Sequence, residues 1–364
     1  MQTIPVRSSL VAQTATILRE NILTGVWSDL VPGELELCER FQISRVTLRA
    51  ALEQLRIEGW FRTAQGKRRE ITRDRALKST VNLGECVVLL SPQPLQELTA
   101  TALFKMVTLR DSLEAAGYRV EVEANHACYS SHPNHALEAV TRKYRPSGYV
   151  VHLSTAPMQQ WFSDHRLSCV ISGSRHPNVE LPSVAIDYEA VCRHAVNLLT
   201  GVGRNRLALL MPHSNQAGNL ESEHGFMEAG LKCRTQGVKT SVAHHDGTSN
   251  AICNLLDGLL QRSEPVVGFL VAKPSHVVTA ITHLLRRGIR IPQDVSLISR
   301  DDDPLLEDLV PTVTRYHADS ARFARKISRV IIRLMREGVG RRCDTRLMPS
   351  LVRGETLGQT NPRL

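Results

Sequence analysis

Two periodicities divide the chain. In the first 73 residues apolar positions recur at helical spacing: Leu48, Ala51, Leu52 and Leu55 fall three and four apart, which places them on one face of a helix. Ser44 stands just before this run and is a good N-cap. An earlier helix starts after Pro32-Gly33, with Glu34 and Glu36 in its first turn, where carboxylates favour the positive end of the helix dipole. Arg45, Thr47 and Arg49 are left near the exposed start of the second helix. Glu58-Gly59-Trp60 and the basic turn Gln65-Gly66-Lys67-Arg68-Arg69 then predict a two-stranded wing.

From residue 85 onward short apolar runs alternate with amphipathic ones. The runs predict strands at Cys86–Leu90, Arg119–Glu123, Gly148–Leu153, Ser168–Ser172, Ser183–Ile186, Arg206–Leu210, Thr240–His244, Val266–Val271 and Val295–Ser299. They predict helices at Leu98–Ala116, Asn134–Tyr144, Tyr188–Thr200, Ser222–Lys232, Asn250–Arg262, Ser275–Arg287 and Ala318–Glu337. Strands joined by crossover helices give parallel sheets covered on both faces, with ligands at the carboxyl ends of the strands. This length of pattern suits two lobes rather than one small sheet. The predicted class is α/β, with a head over residues 1–73, a polar linker over 74–84 and a two-lobed body over 85–364.

Charge adds a second theme. The net charge is +9, and residues 1–80 hold 13 Lys and Arg against 9 Asp and Glu, while residues 315–353 hold 11 against 3. The basicity is therefore not confined to the head. In the last helix Arg322, Lys326, Arg329, Arg333 and Arg336 share one face, opposite Phe323, Ile327, Val330, Ile331 and Leu334, and the plain reading of such a face is solvation.

No apolar run approaches the roughly 18 residues of a membrane span, and the N-terminus lacks a signal-peptide pattern. A cytoplasmic protein without membrane association is expected, its eight scattered cysteines free. His126, Cys128, His132 and His135, and His244-His245-Asp246, lack zinc spacing. No nucleophile elbow, zinc-protease or phosphate-loop motif occurs. Neither a metal, a cofactor nor catalysis is expected.

Helix, turn, capped helix and basic glycine turn over residues 8–73 resemble the winged helix-turn-helix of the GntR family of bacterial transcription regulators. The run Ile43-Ser44-Arg45-Val46-Thr47-Leu48-Arg49 fits that family's recognition helix. The resemblance implies DNA contacts from Arg45, Thr47 and Arg49, and from Gly66 and Lys67 at the wing tip. Leu35 stands where the family usually has a base-reading Arg, and Val46 replaces a common Thr or Ser, so the operator differs from the usual one or is held by fewer polar contacts.

Residues 84–354 resemble the effector domain of LacI-type repressors. The resemblance rests on Asp187-Tyr188 with the run Ala195–Leu210, on Gly225-Phe226, on Gly288–Ile298 followed by Asp301-Asp302, and on Pro311–Thr314 leading to a helix that ends at Gly338. A GntR-like head on such a body is similar to the regulators of the arabinose-repressor type. The resemblance implies a repressor that binds a palindromic double-stranded operator as a homodimer, modulated by a small sugar-like or anionic ligand between the lobes. The alternative is a body that no longer senses a ligand and serves as a dimerisation or partner module. Asp301 matches the aspartate that accepts ligand hydroxyls. Ser222 stands where a ligand-binding Arg is usual, and Lys273-Pro274 where Asn-Asp is usual. Asp301 with Lys273 could hold an anionic polyol, or the two could pair across an empty cleft. Aromatic content is 4%, which leaves few stacking candidates; Tyr188 is one, and Trp161 is read first as core.

Overall fold

The computed structural model describes residues 10–23, 27, 30–57, 60–62, 69–71, 85–338 and 343–359. The chain divides into two compact units, residues 1–84 and 85–364.

The first unit holds α1 (Leu10–Leu23), α2 (Glu34–Phe41), α3 (Arg45–Ile57), β1 (Phe61–Arg62) and β2 (Glu70–Ile71). The predicted apolar stripe of α3 is its buried face: Leu48, Ala51, Leu52 and Leu55 are at most 1% exposed and pack with Ala15, Leu18 and Ile22 of α1. Gln42 takes a left-handed conformation after α2 and makes the tight turn before α3. β1 and β2 pair antiparallel as the wing's base. Glu58, Gly59, Gln65, Gly66, Lys67 and the expected linker over 74–84 lie outside the described residues.

The second unit is a two-lobed α/β body. Its first lobe contains β3 (Cys86–Ser91), α4 (Ala100–Ala115), β4 (Arg119–Ala124), α5 (Asn134–Tyr144), β5 (Gly148–His152), α6 (Ala156–Asp164), β6 (Cys169–Ser172) and β7 (Ser183–Ile186). The second contains α7 (Tyr188–Gly201), β8 (Arg206–Pro212), α8 (Ala217–Lys232), β9 (Lys239–His245), α9 (Ser249–Leu260), β10 (Gly268–Val271), α10 (Pro274–Arg286), β11 (Ser296–Ser299) and β12 (Thr314–His317). The chain then returns to the first lobe with α11 (Ser320–Glu337) and β13 (Asp344–Leu347), and ends its last strand, β14 (Ser350–Val352), in the second.

The first sheet has the order β13-β7-β6-β5-β3-β4 and the second β14-β12-β11-β10-β8-β9. Neighbours are parallel except β14, which runs antiparallel to β12. Both faces of each sheet are buried: Val88 and Leu90 of β3 point into one apolar layer, Val87 and Leu89 into the other. That is why these strands read as continuous apolar runs. Helix α11 buries Phe323, Ile327, Ile331 and Leu334 in the layer shared with Met106, Leu109 and Leu113 of α4. Its Arg322, Arg325, Arg329, Arg333 and Arg336 are exposed, and Arg333 pairs with Glu337 at 2.9 Å.

Gly225 explains one motif physically. A Cβ there would sit 2.6 Å from the backbone oxygen of Glu189, so α7 and α8 approach as closely as they do because the side chain is absent. Gly225→Ala is expected to lower stability by about 1–3 kcal/mol through overpacking. Gly258 is exposed on α9 with open space around it, and Gly258→Ala is expected to raise stability by about 0.5–1 kcal/mol. Urea melts of both variants check the contrast; a neutral Gly225→Ala would contradict it.

Candidate DNA face and ligand cleft

The start of α3 is built by its cap. Ser44 Oγ accepts the Thr47 N–H at 3.2 Å and shares a 2.9 Å hydrogen bond with Thr47 Oγ1. Thr47 is half-buried and its hydroxyl is engaged by the cap. Arg45, Val46 and Arg49 project outward, and Val46 is 80% exposed. Arg49 Nε donates to Glu34 Oε2 at 2.8 Å, while Arg69 Nη2 donates to Glu34 Oε1 at 2.6 Å. Hydrogen bonds from Arg69 first and Arg49 second hold the Glu34 carboxyl below its usual range. Glu34 therefore positions Arg49 without covering it: the Arg49 side chain remains 67% exposed. Leu35, the other departure from the GntR pattern, is also exposed, at 57%.

In the body, the residues that follow β11 govern the cleft. Arg300 is 6% exposed and lies over the Tyr188 ring, 4.4 Å from its centroid. Its Nη1 donates to Asn219 Oδ1 and Ser222 Oγ at 2.9 Å each. Its Nη2 and Nε donate to the two oxygens of Asp301 at 2.8 and 3.3 Å. Four of the five guanidinium N–H groups are thereby satisfied. Burial opposes the charge of Arg300, but Asp301 and then Tyr188 more than offset it and raise its pKa.

This overturns the alternative reading in which Asp301 and Lys273 pair across an empty cleft. Asp301 does not pair with Lys273; Arg300 takes it, because the adjacent guanidinium reaches both carboxylate oxygens. Ser222 is fully buried behind Arg300. An arginine from the neighbouring strand end thus fills the space beside the position at which the LacI pattern has one on α8. Lys273, the residue before α10, is exposed and makes no ion pair among the described residues. Trp161 is core, 6% exposed against Phe162 and His165. Arg300 was missed in the sequence, although a charged residue at a buried strand end beside Asp301 was a usable signal.

The lobes are tied at the cleft rim. Thr101 Oγ1 on α4 donates to the Asp302 carbonyl at 3.1 Å, and Ser174 Oγ donates to Glu221 Oε2 at 2.6 Å. Arg346 of β13 pairs with the same Glu221 at 2.7 Å. Asp302 also holds Arg315 and His317, each at 2.6 Å.

The histidine groups of the sequence separate. Cys128 is buried while His126, His132 and His135 are exposed. His244 pairs with Glu223 at 2.9 Å, and His245 meets His276 edge to face at 4.6 Å between centroids. Burial, then His245 and Lys273, push His276 down to about 4. Among the described residues Glu189, His224 and Glu228 bring ligand atoms within 4.8 Å of one another, but Arg193 already pairs with both glutamates.

Comparison with known proteins matches both units. Residues 10–71 fit the family model of bacterial regulatory proteins, gntR family, and residues 199–357 that of the periplasmic binding protein-like domain. The chain joins a gntR-family head to a periplasmic-binding-protein-like body. It is similar to the HTH-type transcriptional regulator CelR of Thermobifida fusca, 24% identical over 43% of this chain and 46% of that protein. It is similar to the HTH-type transcriptional repressor CytR of Escherichia coli K12, 24% identical over 40% of this chain and 42% of that protein. The chain thus spans less than half the length of these curated relatives. A solved transcriptional regulator CelR–cellobiose complex shares the fold with a TM-score of 0.64 at 18% identity, covering 96% of this chain and all of that one. The matched body region includes Ser222, Arg300 and Asp301, and the matched head region includes Ser44, Arg45 and Arg49.

Proposed function

We propose that the protein is a DNA-binding transcription regulator, acting as a repressor, whose operator affinity is set by a small polar ligand in the cleft of its body. The observation that carries the reading is the capped start of α3, which presents Arg45, Val46 and Arg49 from a buried scaffold. Such a helix suits a major groove: arginine bonds guanine bidentately, and an exposed valine suits a thymine methyl. Arg45 and Arg49 read bases in this proposal, Thr47 orients the cap, and Gly66 and Lys67 meet phosphate from the wing. The relatives are named as transcription regulators, which supports the same reading. It assigns the chain no catalytic step and places it in the cytoplasm with its DNA. No described helix is long and apolar enough to cross a membrane.

Two-fold operators call for paired heads, so the working unit is a homodimer. A second reading has its own support: Arg300 satisfies itself within the cleft, as it would in a body that no longer senses a ligand. Selection from a random duplex library, with sedimentation of the complex, tests the DNA reading. The expected result is a two-fold symmetric site bound by a dimer. Failure to enrich any symmetric site, or a monomer on single half-sites, would reject it.

A further inference from the structure

We propose that α11 is a second DNA surface, whose arginine stripe takes the phosphate backbone of duplex DNA without reading bases. This contact goes beyond the operator reading of α3 and rests on that reading only for the identity of the polyanion. Arg322, Arg325, Lys326, Arg329, Arg333 and Arg336 lie within about 100° of the helix circumference and run about 21 Å along it. The opposite face fixes the stripe in place, because Phe323, Ile327, Ile331 and Leu334 are buried in the first lobe. Asp319 caps the start of the helix, its Oδ1 accepting the Arg322 N–H at 2.9 Å. Of the six cations only Arg333 has a carboxylate within ion-pair distance among the described residues, that of Glu337.

Helix stability does not explain this face. Arg322 stands in the first turn, where the helix dipole favours acids. Like charges four residues apart destabilise a helix, and α11 sets Arg322 against Lys326, Arg325 against Arg329 and Arg329 against Arg333. Solvation alone does not explain it either: a solvating face mixes signs, whereas the one acid in α11 is Glu337. Five of the six cations are arginine, whose planar fork bonds phosphate bidentately where a lysine offers a point charge. A duplex carries a phosphate about every 3.4 Å of axis on each strand, so the stripe is long enough to meet several in succession. For a chain that holds a duplex at α3, that duplex is the polyanion at the highest effective concentration.

The test is the salt dependence of full-chain binding to a duplex of random sequence, read by anisotropy. Arg325→Gln, Arg329→Gln and Arg336→Gln together remove three cations and leave the Arg333–Glu337 pair intact. The slope of log affinity against log salt is expected to shrink by about two to three units, with binding at low salt weakened about tenfold or more. Lysine at the same three positions is expected to keep the slope, since the charge is unchanged. The glutamine variant is expected to melt no lower than the wild type, because it loses like-charge pairs. Arg142→Gln, Arg234→Gln and Arg262→Gln remove the same charge from exposed positions elsewhere on the body and are expected to leave the slope unchanged. A wild-type slope in the α11 glutamine variant, or one that shrinks as much in the control set, would overturn the proposal. So would a wild-type slope together with loss of poly-L-glutamate binding, which would assign the face to an acidic protein. Failure of the operator reading is a separate result: unchanged affinity for the selected duplex in Arg49→Ala, with the slope effect at α11 intact.

Discussion

Arg300→Met is expected to be the most destabilising single substitution in the cleft. It strands the Asp301 carboxylate and leaves Asn219 and Ser222 without their donor. Removing one partner of a buried ion pair costs about 3–5 kcal/mol. Asp301 is 30% exposed, so solvent screens part of this and about 2–4 kcal/mol is expected. Asp301→Asn added to Arg300→Met should recover part of the loss, because the stranded charge is then gone, and the cycle should show coupling of about 0.5–3 kcal/mol. Urea melts of the two singles and the double measure it. An Arg300→Met protein as stable as the wild type would mean that the cluster carries no structural weight.

The fold was legible where periodicity was strong. Leu48, Ala51, Leu52 and Leu55 marked the face of α3, and the apolar runs of β3, β5, β6, β7, β8, β10 and β11 became strands buried on both sheet faces, while β4 and β9 are partly exposed edge strands. What escaped were α6, β12, β13 and β14. Helix α6 is short, and Thr314-Arg-Tyr-His and Asp344-Thr-Arg-Leu mix charge with bulk over four residues, too few to establish a period. Strands β12, β13 and β14 are the ones that flank the later crossings between lobes, where tertiary pairing outweighs local pattern. The site was legible in part. Asp301 and Lys273 do follow strand ends, but no rule of spacing reveals that Arg300 reaches across to Asn219 and Ser222 on α8.

Arg49→Ala is expected to weaken binding to the selected operator by about 1–3 kcal/mol, roughly 5- to 150-fold, and to relax preference at one base position. The loss should be specific. Arg69 still holds Glu34 in that variant, so the head keeps its fold. Lys67→Ala, by contrast, should weaken binding to all sequences alike and reduce the salt slope by about one unit. Anisotropy titrations across salt concentrations separate the two, and wild-type-like affinity in both variants would remove α3 and the wing from the interface.

Regulation by a ligand in the body requires that ligand and operator affinities be linked, and linkage has a direct reading. The dissociation constant of the intact protein for its selected duplex is measured by anisotropy with and without a saturating amount of whichever sugar or sugar-phosphate probe is found by thermal shift to bind the body, beside Asp301→Ala as control. Linked sites change one another's affinity reciprocally, typically about 5- to 150-fold, so a shift of that order is predicted for the wild type and its loss for Asp301→Ala. An identical dissociation constant with the probe demonstrably bound would contradict the account.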